Sequence, residues 1–264
     1  MSGIQAAQAA QADWERAVAL ATGGKVFSTH GCDWAWQPTR SRLVLLFPEQ
    51  ADDAGIRPGL AESSRLGARR VDALLNAAAG DAGLRTAGFR DAAQIVWFVG
   101  RPSYAALRGR TTAWEGRVRV TADVPEACGA EATELETARA WRRPPGHHNG
   151  RRHPAADRRI EHVVARASDG SIAGRGFAQF SADGAVSLHG LAVAATARRQ
   201  GVGSQLVAGL LGAMTAPLVP AADSSEAERT TPSVLAAAAP ASAEFFAACG
   251  LEHLGRGRHL RLSA

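Results

Sequence analysis

Lysine, tyrosine and cysteine are nearly missing from this 264-residue chain. Lys25 is the only lysine and Tyr104 the only tyrosine. The three cysteines, Cys32, Cys128 and Cys249, are odd in number and widely spaced, with no CxxC pair. That excludes a disulfide framework and a cysteine-based zinc site, and no metal is expected. No apolar run approaches the length of a membrane span, which excludes a membrane-crossing helix. Residues 1–13 lack the basic-then-apolar order of a secretory leader, so the expected setting is cytoplasmic. The 30 basic residues outnumber the 25 acidic ones, for a net charge of +5. All but Lys25 of the basic residues are arginine, and with the abundant alanine and glycine this follows the codon supply of a G+C-rich genome. No basic motif is interleaved with aromatics, so neither a nucleic-acid nor a membrane partner is expected.

What is present suits a globular protein. Hydrophobic residues make up 46% of the chain and charged residues 21%, enough apolar surface for a real core. The length leaves room for two small domains. Residues 1–12 read as a lead-in or short helix, and 42–47 as a buried strand closed by Pro48. Leu66, Val71, Leu74 and Leu75 fall at roughly helical spacing, which predicts a helix over 60–79 ended by Gly80. A strand is predicted over 95–99. Trp34 and Trp36 alternate along a strand, as core or interface packing or as a pocket wall.

A second series starts near Trp114. Residues 117–122 alternate as a strand, 130–141 read as a helix, and 142–159 as a loop rich in Arg, Pro, His and Gly. His147, His148 and His153 lie in that loop without further metal ligands, and Arg151, Arg152, Arg158 and Arg159 make it basic. Residues 160–193 predict an antiparallel meander turning at Asp169-Gly170 and Asp183-Gly184. A helix then carries Leu206, Val207, Leu210, Leu211 and Met214 on one face. A polar loop (221–232), a strand (234–238), a helix (242–249) and a strand or hairpin (251–262) complete the chain.

The informative segment lies between the meander and the amphipathic helix: Arg198-Arg199-Gln200-Gly201-Val202-Gly203. Glycines without a Cβ let the backbone turn sharply and approach a ligand. The following helix adds unpaired N–H groups and the positive end of its dipole, and the two arginines add charge. Together these make a cradle for a pyrophosphate, although a tight turn that merely starts a helix has the same local pattern. The loop lacks the Gly-Lys-Ser/Thr ending of a Walker motif and the Gly-x-Gly-x-x-Gly of a dinucleotide fold.

Leu188-His189-Gly190-Leu191-Ala192-Val193, four residues, then Arg198 to Gly203 resembles the cofactor motif of the GNAT superfamily of N-acyltransferases. Phe245-Phe246-Ala-Ala-Cys249-Gly250-Leu251 is similar to that family's late helix. The resemblance covers 116–264. It implies a mixed α/β (α+β) fold with a central, mostly antiparallel sheet flanked by helices. It also implies acetyl-CoA as co-substrate, its pyrophosphate on Arg198, Arg199, Gln200, Gly201, Val202, Gly203 and Ser204. The pantetheine arm would pair with the backbone of Leu191, Ala192 and Val193, and an amide near Val193 would polarise the thioester carbonyl. Ala195 replaces the usual proline of the motif.

Acyl transfer needs a neutral amine, hence a base. Ser187 and His189 are two apart on the predicted strand 185–193, and so share a face, read here as that of Leu191 and Val193 too. The strand is similar to that of arylalkylamine N-acetyltransferases, where two histidines alternate; here Ser187 takes the first place. His189 is the candidate base, or a histidine that only hydrogen-bonds within the sheet. The family often has a tyrosine acid where this chain has Phe246, and Cys249 is a more distant candidate. Segments 42–99 and 234–262 echo each other through Ala87-Gly88-Phe89 and Cys249-Gly250-Leu251. Residues 1–112 therefore read as a GNAT-like half without its cofactor loop, or as an unrelated cap, and 113–264 as the transferase domain. The expected activity is acetyl transfer to a primary amine of a small molecule, in a monomer or homodimer. A non-catalytic acyl-CoA-binding module and a protein acetyltransferase are the alternatives.

Overall fold

The structure, a computed structural model, describes residues 3–103, 106–107, 114–120, 160–180, 185–215 and 232–262. The first half contains helix α1 (Gly3–Ala21), strands β1 (Lys25–Thr29), β2 (Cys32–Gln37) and β3 (Arg42–Leu46), helix α2 (Asp53–Arg65), β4 (Arg70–Asn76), α3 (Ala82–Thr86) and β5 (Phe89–Gly100). The second contains β6 (Arg117–Val120), β7 (Ile160–Arg166), β8 (Ile172–Phe180), β9 (Val186–Val193), α4 (Val202–Thr215), β10 (Val234–Ala238), α5 (Ala243–Ala248) and β11 (Leu251–Leu262).

The described strands form one sheet in the order β1-β2-β3-β4-β11-β5-β10-β9-β8-β7-β6. It is antiparallel except at two pairs, β3 with β4 and β9 with β10. The order is nearly palindromic about the β11–β5 contact. Each half runs strand, helix, parallel strand, short helix, long strand, and the long strands then cross over. β5 leaves β4 to pair with β10, while β11 leaves β10 to pair with β4. The mixed α/β fold with a large, mostly antiparallel sheet flanked by helices is as expected. The echo between Ala87-Gly88-Phe89 and Cys249-Gly250-Leu251 falls at equivalent places, but 234–262 mirrors β4 to β5 only, and β3 and α2 answer to β9 and α4.

Helices α2 and α4 cover one face of the sheet. Leu206, Val207, Leu210 and Leu211 of α4 are at most 1% exposed against Val163, Ala178 and Leu188. Each such side chain contributes about 1.5–3 kcal/mol. Ile56 of α2 packs on Trp34, Leu43 and Leu45, so Trp34 and Trp36 are core residues. Among the described helices only α1 covers the opposite face, setting Ala7, Ala10 and Ala19 against Val44, Leu74, Trp97 and Leu235.

One expectation is extended and one corrected. The residues read as a lead-in or short helix belong to a 19-residue helix; its alanine face lets it lie close to the sheet. The helix expected over 60–79 is instead the end of α2 and then β4. Asp52 caps the start of α2 by accepting from the Gly55 N–H at 3.0 Å, and the chain leaves the helix at Gly67, with φ of +67°. Val71, Leu74 and Leu75 fit helical spacing because β4 is a central strand buried on both faces. The helix expected over 130–141, the loop 142–159 and the turn Asp183-Gly184 lie outside the described residues.

Candidate active site

Strands β9 and β10 run parallel for only three pairs, Val186↔Val234 to Leu188↔Ala236. Beyond Leu188 they separate, since Ala237 and Ala238 pair only with β5. The gap is a cleft of about 1090 Å³, lined by residues 188–193, the loop at 197–204, the end of β10 and α5. All ten residues expected to hold acetyl-CoA border it except Gln200. The Ala194 N–H donates to Ala173 of β8, so by strand alternation the Leu191 and Val193 backbone groups face the cleft. The Val193 carbonyl accepts from Arg198 Nε at 3.3 Å, which leaves its N–H as the group available to a ligand.

At the cleft's end, Arg199 and Gly201 have φ of +64° and +87°. The turn they make aims the start of α4 into the gap. Gln205 N–H reaches Gly201 O at 3.1 Å, and the N–H groups just before it are those a helix start leaves unpaired. Arg198 and Arg199 are exposed beside them. Unpaired N–H groups, two guanidinium groups and an open strand edge fit a pyrophosphate followed by an extended amide-bearing arm. Gly203 has a second reason to be glycine, because a Cβ there would lie 2.6 Å from the Phe245 ring. Its bareness admits Phe245, which walls the cleft.

A β-bulge decides which side chains meet. Phe177 of β8 pairs with His189 and Arg175 with Ala192, so Gly190 and Leu191 together oppose Gly176. Gly190, at φ +56°, supplies the required turn. The bulge reverses the alternation. Leu191 lies against Gly176 and packs with the α4 core, whereas the His189 ring stacks on Trp14 of α1 at 4.3 Å and 4°. Ser187 and His189 thus share a face, as expected, but not the face of Leu191 and Val193.

His189 Nε2 and Ser187 Oγ are 2.8 Å apart, and Ser187 Oγ donates to Gln179 O at 3.2 Å. Once the single hydroxyl proton goes to that carbonyl, Oγ accepts from Nε2–H. The imidazole lone pair then sits on Nδ1, the nitrogen left for a substrate proton. Burial lowers the His189 pKa to about 3, so the ring is neutral at physiological pH. Because the unfolded chain would protonate there near pH 6.5, roughly the free value, folding stability should fall as pH drops from about 6.5 towards 3. His189→Asn should flatten that slope, measured as urea midpoints at pH 7 and 4.5; an unchanged slope would remove His189 as its source.

Phe246 is buried and stacks on Phe98 of β5 at 4.9 Å, so the tyrosine position has become part of the core. Cys249 is 2% exposed, 4.0 Å from Ser204 Oγ. Tyr104 and the histidines and arginines of 142–159 lie outside the described residues. Among the described residues no group of three His, Cys, Asp or Glu could hold a metal ion. Trp14, stacked on His189, is the contact of the candidate base that sequence reasoning missed. Its signal was a lone aromatic in an alanine- and glutamine-rich stretch.

The mirrored place in the first half is shut. β3 and β4 stay paired from Arg42↔Arg70 to Leu46↔Leu74, and Phe47 N–H extends the ladder to Leu74 O at 2.9 Å. The loop that follows carries Glu49, Asp52 and Asp53 in place of arginines, a charge that repels phosphate. A Cβ on Gly83 would lie 2.3 Å from Ala51 O, so α3 sits directly on this loop.

Residues 131–217 match the model of the Acetyltransferase (GNAT) family. A GCN5-related N-acetyltransferase from Kribbella flavida superposes with a TM-score of 0.60 at 18% identity, over 100% of this chain and 97% of that one. A functionally unknown conserved protein from Staphylococcus epidermidis gives 0.56 at 12% identity, over 91% and 94%. A tandem GNAT protein from the clavulanic acid biosynthesis pathway gives 0.54 at 14%, over 87% and 77%. No curated protein matches the sequence. At such identities the structural likeness speaks for the fold, while the family match speaks for the segment that carries the loop. The two findings agree: residues 131–217 are a segment of the GNAT acetyltransferase family, set in a chain with a GNAT-like fold.

Proposed function

We propose that the chain transfers an acetyl group from acetyl-CoA to a primary amine of a small molecule, directly, in a ternary complex. The observation that carries this is the splay of β9 from β10, opening onto the N–H groups and arginines of 198–204. On this reading residues 113–264 supply the cleft and 1–112 cover the acceptor side.

Acetyl-CoA supplies an activated thioester. The loop holds its pyrophosphate, and the Leu191 and Val193 backbone aligns its arm. The Val193 N–H polarises the carbonyl as the amine nitrogen bonds to its carbon and the carbon–sulfur bond breaks. His189 Nδ1 takes the amine proton, directly or through water. Thiols ionise at about 8.5, so the sulfur can leave as thiolate without the tyrosine that Phe246 replaces. A base with so low a pKa is weak, yet it is always in the proton-accepting form. The acid limb of the pH–rate profile then belongs to the acceptor amine.

His189→Ala should lower turnover by about 10²–10⁴-fold and leave acetyl-CoA affinity within about twofold, read by thiol release and by calorimetry. Unchanged turnover would remove His189 from the chemistry. The buried Phe246 favours a second reading, a non-catalytic acyl-CoA-binding module. Tight acetyl-CoA binding with no thiol release across a broad amine panel would establish it.

A further inference from the structure

Helix α1 lies outside the family-matched segment and docks on the sheet mainly through alanines. Trp14 is its only aromatic residue. It is half-buried and reaches past the alanine face to β8 and β9, where it lies parallel to His189 and 5.6 Å from Phe177. His162, Phe177 and His189 are successive cross-strand partners on β7, β8 and β9, and the His162 and Phe177 rings are 4.5 Å apart. Trp14 roofs the end of that aromatic row. The imidazole is therefore held twice, by Ser187 Oγ on Nε2 and by the indole across one whole face.

The next residue sets the helix in place. Glu15 accepts from Gln37 Nε2 at 2.6 Å and pairs with Arg42 at 3.0 Å. Arg16 pairs with Asp33 at 2.7 Å, and Trp97 Nε1 donates to Gln11 Oε1 at 2.9 Å. The ties on either side of Trp14 fix both the rotation and the depth of α1. A large aromatic held this way, on a helix whose apolar contacts are otherwise mainly alanine, meets the condition for a side chain that must act in one geometry, a rotamer locked by its neighbours.

We infer that Trp14 is a positioning residue for His189: α1, from the half without a cofactor loop, sets the plane of the imidazole and so directs Nδ1 at the acceptor amine. This rests on the reading of His189 as the base. A mobile imidazole would spend only part of its time in line with the amine proton. The loss should therefore appear in turnover rather than in cofactor affinity.

The experiment is a cycle over Trp14→Ala, Trp14→Phe, His189→Ala and the double Ala variant. Turnover, amine KM and acetyl-CoA Kd are measured for each. Trp14→Ala should lower kcat by about tenfold or more with acetyl-CoA Kd within about twofold, and Trp14→Phe should restore most of the rate. In the His189→Ala background, Trp14→Ala should cost less than about twofold, because its path of action is already gone. An equal loss in both backgrounds, or unaltered kcat in Trp14→Ala, overturns the inference. A second readout does not depend on activity. The indole ring current should shift the His189 ring protons upfield in the NMR spectrum, assigned by their disappearance in His189→Ala. Trp14→Ala should move them downfield and Trp14→Phe only part of the way. If those signals do not respond, the stack is absent and the inference fails. If they respond but no amine is acetylated, the stack stands and the reading of His189 as a base fails.

Discussion

Asp72→Ala is expected to destabilise the fold by about 3–5 kcal/mol, the usual cost of leaving a buried cation without its anion. The Asp72 side chain is fully buried, and four cationic or potentially cationic groups converge on it. Arg42 Nε lies 2.5 Å from it, Arg70 Nε 2.6 Å, His259 Nε2 3.0 Å and Arg261 Nε 3.1 Å. Burial pushes the Asp72 pKa up, but the His259 hydrogen bond and Arg42 outweigh it and hold the carboxyl well below the usual range. Its contribution is therefore complete above about pH 3.9, the unfolded value, and fades only as pH falls towards the lower folded value. Arg42 is the partner that matters, at 8% side-chain exposure against 40% for Arg70 and 46% for Arg261. Urea denaturation of Asp72→Ala against Arg261→Ala makes the test. The second change should cost under about 1 kcal/mol, because its cation is already in water. Equal costs would show that the cluster is not organised around the buried pair.

Gly203→Trp is expected to abolish acetyl-CoA binding at concentrations where the parent is saturated, with the fold retained. The indole would enter the cleft at the start of α4 and displace Phe245, already at the limit of approach. Gly203→Ala makes a finer test. Its Cβ conflicts only with Phe245, so it should weaken binding by about tenfold, and Phe245→Ala in the same chain should restore part of that. Isothermal calorimetry reads both, with thermal midpoints as the control for folding. If Gly203→Trp binds acetyl-CoA as the parent does, the cleft is not the cofactor site.

The features legible from sequence were the local ones. The hairpin at Asp169-Gly170, the strand–loop–helix order through Arg198 and the amphipathic face of α4 each depend on neighbours a few residues apart. The helix misread over 60–79 failed because β4 is buried on both faces, and Val71, Leu74 and Leu75 lose the alternation that marks a strand. The face of Leu191 was misplaced because one glycine, Gly190, inserts a bulge and shifts the alternation by a residue. Trp14 went unnoticed because its partner, His189, is far away in the chain, and no local pattern records that stack. The crossing of β5 and β11 was equally hidden. The echo between the halves pointed to two similar units, but nothing in either segment says which neighbour its long strand will choose.

That crossing governs the order in which the molecule can assemble. β11 must fit between two strands that precede it by well over a hundred residues, and Arg261 reaches Asp72 across 189 positions. Until it arrives, β4 and β5 each expose an unfilled hydrogen-bonding edge. So distant a pairing is expected to close slowly, and those two edges stay open to aggregation until it does. Each half lends its long strand to the other, so a gene cut between them would leave β4 without β11 and β10 without β5, the partners they have in the whole sheet.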